Sequence, residues 1–154
     1  MKSTTEKVRE LTQHTFGTWN RQKAWQTPML ITDAEGVYIY DDQGKPYLDF
    51  SSQLICSNLG HKNKVVIEAI IKQAEKLPYV APAFVNEAAM EAVEAIRSVM
   101  PESLGKFFFS TSGTEANEAA LKMARQSKMP AYKAISRYRS FHGSTPSSAA
   151  FTGD

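Results

Sequence analysis

Phe107-Phe108-Phe109-Ser110-Thr111-Ser112-Gly113-Thr114-Glu115-Ala116-Asn117-Glu118 is the stretch from which the rest of the chain can be read. Lys106 to Ser110 is a short aromatic run with the length and composition of a buried strand. A Thr-Ser-Gly-Thr turn follows, and Glu115 to Gln126 is dense in strong helix formers. Ser112 and Glu115 stand at capping-box spacing, which places the helix start at the turn. The first amides of a helix have no internal acceptor, and the helix dipole is positive at that end. A phosphate satisfies both conditions. Gly113 lets an anion approach the backbone closely, and the hydroxyls of Ser112 and Thr114 can donate to its oxygens. Taken alone, such a turn is more often an ordinary capped helix than a phosphate seat.

Working outward, Ala134 to Tyr138 reads as a second strand. Strand, helix, strand predicts a βαβ unit, hence the beginning of a parallel sheet. Arg139-Ser140-Phe141-His142-Gly143-Ser144-Thr145 follows at a strand's carboxyl end, where ligands collect in open α/β sheets. Phe141 is either a stacking face for a flat ring or a core residue, and His142 either a site residue or a hydrogen-bonded surface histidine. Ala149 to Asp154 is read as closing without a helix. Two parallel strands cannot bury both faces of a sheet, so the chain is expected to stop within its fold. On the amino-terminal side, helical stripes cover Asn63 to Leu77 and Asn86 to Met100. Before them, Met29 to Thr32, Val37 to Tyr40 and Tyr47 to Phe50 are separated by Asp33–Gly36 and Asp41–Pro46, the pattern of an antiparallel meander. Glu6 to Trp25 carries a weaker helical signal.

Composition bounds the function classes. The chain has 154 residues, 42% apolar and 22% charged, an ordinary globular balance that disfavours disorder. A net charge of +2 gives no argument for nucleic acid or an anionic membrane. No apolar run approaches the ~20 residues of a membrane span, and Met1 to Glu10 lacks the apolar region of a secretory signal. Cys56 is the single cysteine, so no intrachain disulfide can form. A cytoplasmic protein is expected. His14, His61 and His142 lie far apart without ligand spacing, and no metal site is expected.

Several ordered motifs carry a resemblance. Gly44-Lys45-Pro46-Tyr47-Leu48-Asp49-Phe50, Leu59-Gly60-His61, Ser112-Gly113-Thr114-Glu115-Ala116-Asn117-Glu118, Phe141-His142-Gly143 and Thr152-Gly153 are together similar to the motifs of class III (ω-type) pyridoxal-phosphate-dependent aminotransferases. The resemblance covers nearly the whole chain. It implies the α/β fold of fold-type-I transferases, with residues 1–60 forming the helix and meander of the small domain. Residues 61–154 would begin the large cofactor-binding domain and the first part of its parallel sheet. It implies pyridoxal 5'-phosphate as cofactor, an amino donor and a 2-oxo acid as substrates, and a homodimer. Ser112, Gly113 and Thr114 would hold the cofactor phosphate. Phe141, in place of the family's usual tyrosine, would stack on the pyridine ring, with His142 and Gly143 beside it. Ile55 falls in the segment that lines the substrate pocket, where a large aromatic is common; its alternative is core packing. Gln53 replaces a common glycine.

The family's Schiff-base lysine and the carboxylate that faces the pyridine nitrogen lie beyond the Thr-Gly motif. Lys106, Lys122 and Lys133 do not stand in that lysine's context. The resemblance therefore implies an aminotransferase fragment that is inactive alone, completed by the rest of its chain or by a complementary carboxyl-terminal polypeptide. The alternative is a non-enzymatic module, derived from an aminotransferase, that binds phosphate ligands or a partner.

Overall fold

A computed structural model of the chain describes residues 3–153. They divide into two compact units, one running to Ala81 and the other starting at Pro82.

The first unit opens with helix α1, Thr4–His14, started by a capping box between Ser3 and Glu6. The weak signal over Glu6 to Trp25 is thus a shorter helix, followed after a break by a single 3₁₀ turn at Gln22–Ala24. The meander forms as expected: β1 Ile31–Glu35, β2 Tyr38–Asp41 and β3 Pro46–Leu48 pair antiparallel in the order β1-β2-β3. Its first turn is tighter than the sequence suggests. Asp33 to Glu35 belong to β1, Glu35 pairs with Tyr38, and only Gly36-Val37 form the turn. Gly36 makes this possible with φ of 56°, a conformation that side chains oppose. The second turn is organised by one carboxylate: Asp41 accepts from the Gln43 amide (3.0 Å), the Lys45 amide (2.9 Å) and the Tyr47 hydroxyl (2.9 Å).

After β3 the chain makes a single left-handed turn, α2, at Ser52–Ile55, which the sequence pattern did not signal. Helix α3, Lys64–Lys76, follows, with Asn63 capping the Val65 and Val66 amides. Its apolar stripe is exposed: Ile70 stands 62% and Ile71 52% open.

The second unit contains α4, Glu87–Arg97, capped by Asn86, then α5, Gly113–Ser127, capped by Ser112, and a short α6, Pro146–Ala150, with Thr145 at its N-cap. Two sequence expectations are corrected here. Lys106–Ser110 and Ala134–Tyr138 are not in a sheet, since the described residues form only the β1-β2-β3 sheet. Phe108 and Phe109 are exposed rather than buried. A strand exists by virtue of a hydrogen-bonded neighbour, and a parallel sheet also needs both faces covered; neither condition is met among the described residues. The second correction is α6, where a helix-free end was expected. Thr145-Pro146 supplies the N-cap hydroxyl and a proline in the first turn, both helix-start signals. No hydrophobic side chain among the described residues is buried.

Candidate functional site

The local sequence builds the start of α5 from the Ser-Gly-Thr turn. Ser112 is extended (φ −156°, ψ 160°), and its hydroxyl accepts from the Glu115 amide at 3.2 Å. The capping box is only half closed. The Glu115 carboxylate turns back instead to Thr111, accepting from its amide (2.9 Å) and its hydroxyl (2.6 Å). These bonds hold the Glu115 carboxyl below its ordinary range. With the capping site filled, the Gly113 and Thr114 amides are left without an intrahelical acceptor. A Cβ on Gly113 would meet nothing within 4 Å, so the mouth of the turn is open at the point an anion would approach.

The Phe141-His142-Gly143 loop is fastened to this helix start. The Asn117 carboxamide donates to the His142 carbonyl at 2.7 Å. Gly143 (φ 138°) lies so close that a Cβ would stand 2.6 Å from Thr114 Oγ1 and 2.5 Å from Ser148 Oγ. Only glycine fits there, on grounds of both conformation and space. Glu118, one turn into α5, accepts from the Ser148 amide at 2.9 Å and from the Thr145 hydroxyl. Its carboxylate thus sits at the amide-rich start of α6. The Thr145 hydroxyl, the Ser148 amide and, more weakly, Arg125 hold its carboxyl below the ordinary range.

Thr152 closes the loop from the other side. Its hydroxyl accepts from the His142 amide at 3.2 Å, and Gly153 exchanges backbone bonds with Arg139 and Ser140 at 3.0 Å each. A Cβ on Gly153 would collide with the Arg137 carbonyl. Phe141 is 55% exposed. His142 is half-buried.

The structure therefore brings Thr114, His142 and Gly143 into one assembly, with Ser112 and Gly113 opening it and Phe141 at its edge. Asn117, Glu118, Thr145 and Ser148, which fasten it, were not singled out as site residues. The Thr145-Pro146 start signal was the available clue to two of them.

Ile55 belongs to the first unit. It is 76% exposed on the left-handed turn. Asp49 is the hub behind that turn. Its side chain is 3% exposed, and it meets His61 Nε2 at 2.8 Å. It also accepts from the Gln53 amide (3.1 Å) and the Ser57 hydroxyl (3.2 Å). Burial works to raise the Asp49 pKa, but these donors, His61 foremost, outweigh it and hold it at about 2.

The second unit thus carries an open, Ser-capped helix start with an aromatic-His-Gly loop fastened to it. The class III aminotransferase domain matches residues 20–154, and the chain belongs to that family. An acetylornithine aminotransferase from Caldanaerobacter subterraneus is 35% identical over 147 residues, covering 92% of this chain and 35% of that protein. Among solved structures, a transaminase from the marine bacterium Virgibacillus superposes with a TM-score of 0.88 at 31% identity, over 96% of this chain and 36% of that one. A taurine:2-oxoglutarate aminotransferase from Bifidobacterium kashiwanohense, solved with PLP and glutamate, gives 0.83 at 33% identity, over all of this chain and 34% of that one. These neighbours fix the fold as type I. The chain spans about a third of the length of each of these three relatives.

Proposed function

We propose that this chain is the leading part of a cytoplasmic, homodimeric aminotransferase that moves an amino group from an amine or amino acid to a 2-oxo acid with pyridoxal 5'-phosphate. The observation that carries the reading is the start of α5, where the Gly113 and Thr114 amides have no intrahelical acceptor, a Cβ on Gly113 would meet open space, and Ser112 is already seated by the Glu115 amide. Ser112, Gly113 and Thr114 take the cofactor phosphate. The Ser112 oxygen accepts inside the helix, which leaves its proton to donate outward. Phe141 offers its exposed face to the pyridine ring. His142 and Gly143 hold that face in register with the phosphate through Asn117 and Thr114. The residues fit the group: an anion seat and an aromatic face stand on one fastened assembly. When bound, the cofactor supplies an electron-accepting ring that stabilises charge at the substrate Cα.

In this reading residues 1–60 belong to the small domain and 61–154 begin the large one, and Ile55 lines the substrate pocket. The reaction also needs a lysine amine at the cofactor aldehyde. Lys122 lies nine residues into α5, about 13 Å along the axis from Gly113, too deep in the helix to serve. The lysine comes from the remainder of the enzyme, so residues 1–154 by themselves give no turnover.

Equilibrium dialysis of the chain against pyridoxal 5'-phosphate and against pyridoxal tests the phosphate seat. The phosphorylated compound binds at least about tenfold tighter, inorganic phosphate competes, and Gly113→Glu abolishes the difference. Equal binding of the two compounds would remove the foundation of the proposal. Assay with several amines and pyruvate, with cofactor added, gives no rate above that of free cofactor.

A further inference from the structure

Four consecutive non-glycine residues, Ser52, Gln53, Leu54 and Ile55, have φ of 48°, 47°, 60° and 69°. In that region Cβ crowds the following carbonyl oxygen, so L-residues enter it singly and seldom in runs. Such a run persists only where its surroundings over-determine it, and backbone of this kind gathers at functional sites. Nothing apolar supplies that determination here: Leu54 is 68% and Ile55 76% exposed. The constraint is polar. Asp49 accepts from the Gln53 amide inside the turn, from the Ser51 hydroxyl (3.4 Å) before it, and from the Ser57 hydroxyl after it. The Ser57 amide closes the turn onto the Ser52 carbonyl at 2.9 Å.

Asp49 is itself fixed. Its amide donates to the Val37 carbonyl at 2.9 Å, and its carboxylate meets His61. His61 is in turn held to Gly36 by two backbone bonds of 2.8 and 3.1 Å. The meander thus provides a rigid base, Asp49 the clamp, and the turn the part that is clamped.

We propose that Asp49 is a positioning residue whose carboxylate holds the Ser52–Ile55 turn left-handed and so sets where Ile55 stands against the substrate. This rests on the reading of Ile55 as a pocket wall. The face so presented is Leu54 and Ile55, aliphatic and without charge, which suits the hydrocarbon part of an amine donor rather than a carboxylate. Releasing the clamp lets the turn relax to right-handed or extended backbone, which swings Ile55 away without disturbing the ladder behind it.

Two measurements test this separately. In the 154-residue chain, hydrogen exchange by mass spectrometry compares peptides spanning 50–58 with peptides spanning 31–48. Asp49→Ala speeds exchange in 50–58 by about tenfold or more and leaves 31–48 within about twofold. Asp49→Asn recovers much of the protection, because a carboxamide oxygen still accepts from the Gln53 amide. Unchanged exchange in 50–58 overturns the clamp. Equal loosening of 31–48 in both variants also overturns it, Asp49 then serving the fold at large. In the complete enzyme, Asp49→Ala and Ile55→Ala each raise KM for a bulky amine donor several-fold while kcat changes less, and Asp49→Asn lies between. If Ile55→Ala leaves KM unmoved, the pocket reading fails and the link from Asp49 to substrate falls with it, while the exchange result still decides the clamp.

Discussion

The two units treat sequence that reads as strand in opposite ways. Residues 31–48 close into a three-stranded ladder, whereas 106–110 and 134–138 run without one. The difference lies in where each strand finds its partner. An antiparallel strand meets its neighbour across a turn of two to a few residues, while a parallel one needs a crossover of a dozen or more and cover on both faces. The meander therefore completes itself within 18 residues of chain, and the aromatic segment does not. Hydrogen exchange should break or sharpen this contrast most. Backbone amides in β2 are expected to exchange about a hundredfold more slowly than those of Phe107 to Phe109, the ratio that ~2.7 kcal/mol of local opening free energy gives. Equal protection would mean that the aromatic segment finds a partner in solution. A second copy is the natural candidate, given its exposed phenylalanines, and light scattering would show the association.

The glycines separate the units next. Gly44, in the β2–β3 turn, has φ of 75° and open space around its Cβ position. Gly44→Ala should cost only conformational strain, about 1 kcal/mol. Gly143 has φ of 138° and would also drive a Cβ into Thr114 and Ser148. Gly143→Ala should cost about 2–3 kcal/mol and free the His142 and Ser148 amides. The comparison is read from the protection of those amides against that of the Asp41 and Lys45 amides. A harmless Gly143→Ala would show that the aromatic-His-Gly loop is not fastened to α5 as described.

Each unit also carries depressed carboxyls, among them Asp49 in the first and Glu118 in the second, and acid should release these two independently. The Asp49 pKa is held at about 2 against an ordinary 3.8. A carboxylate depressed on folding stabilises the fold above its unfolded pKa, and that contribution is lost as pH falls through the folded one. The Asp49 clamp should therefore be intact above about pH 4 and fail as pH drops toward 2. The His61 ring protons, read by NMR, should show an inflection near pH 2 that Asp49→Asn removes. Glu118 is lowered from 4.5 by Thr145 and Ser148, so its hold on α6 has the same sign. Glu118→Gln should flatten the acid response of the Ser148 amide and leave that of His61 unchanged.

These contrasts also explain what the sequence made legible. Where partners are local, composition was enough: the Asp/Gly/Pro clusters marked the meander, Asn63 and Asn86 marked helix starts, and Ser112-Gly113-Thr114 marked the start of α5. Side-chain alternation cannot report a hydrogen bond to a partner outside the described residues, so the aromatic run was read as buried and paired when it is neither. The left-handed turn had no signal for a different reason. None of Ser52 to Ile55 is glycine, and the bonds that hold them come from Asp49 and from the Ser57 side of the turn. Glu118 was recognisable as a helix-face carboxylate, but its reach of 27 residues to Thr145 and 30 to Ser148 is a tertiary fact. The site residues lie at the boundary between these cases: their types could be read, but the fastening that unites them could not.

The smallest expected effects come from the caps, and they test whether local physics is the same in both units. Asn63 accepts from the Val65 amide (3.1 Å) and the Val66 amide (3.3 Å), whereas Ser112 accepts from the Glu115 amide alone at 3.2 Å. Removing either cap strands helix amides and should cost about 1 kcal/mol of local helix stability. The consequences differ. Asn63→Ala should fray the first turn of α3 and release the Leu59 carbonyl, to which the same carboxamide donates at 3.1 Å. Ser112→Ala should fray α5 by a similar amount and, on the proposed phosphate seat, also weaken binding of pyridoxal 5'-phosphate by more than fraying explains. Ser112→Thr keeps the hydroxyl and should restore both properties. Dialysis affinities measured beside helix protection separate the two contributions: if Ser112→Ala and a fraying control elsewhere in the first turn of α5 weaken binding equally, the serine is a cap and no more.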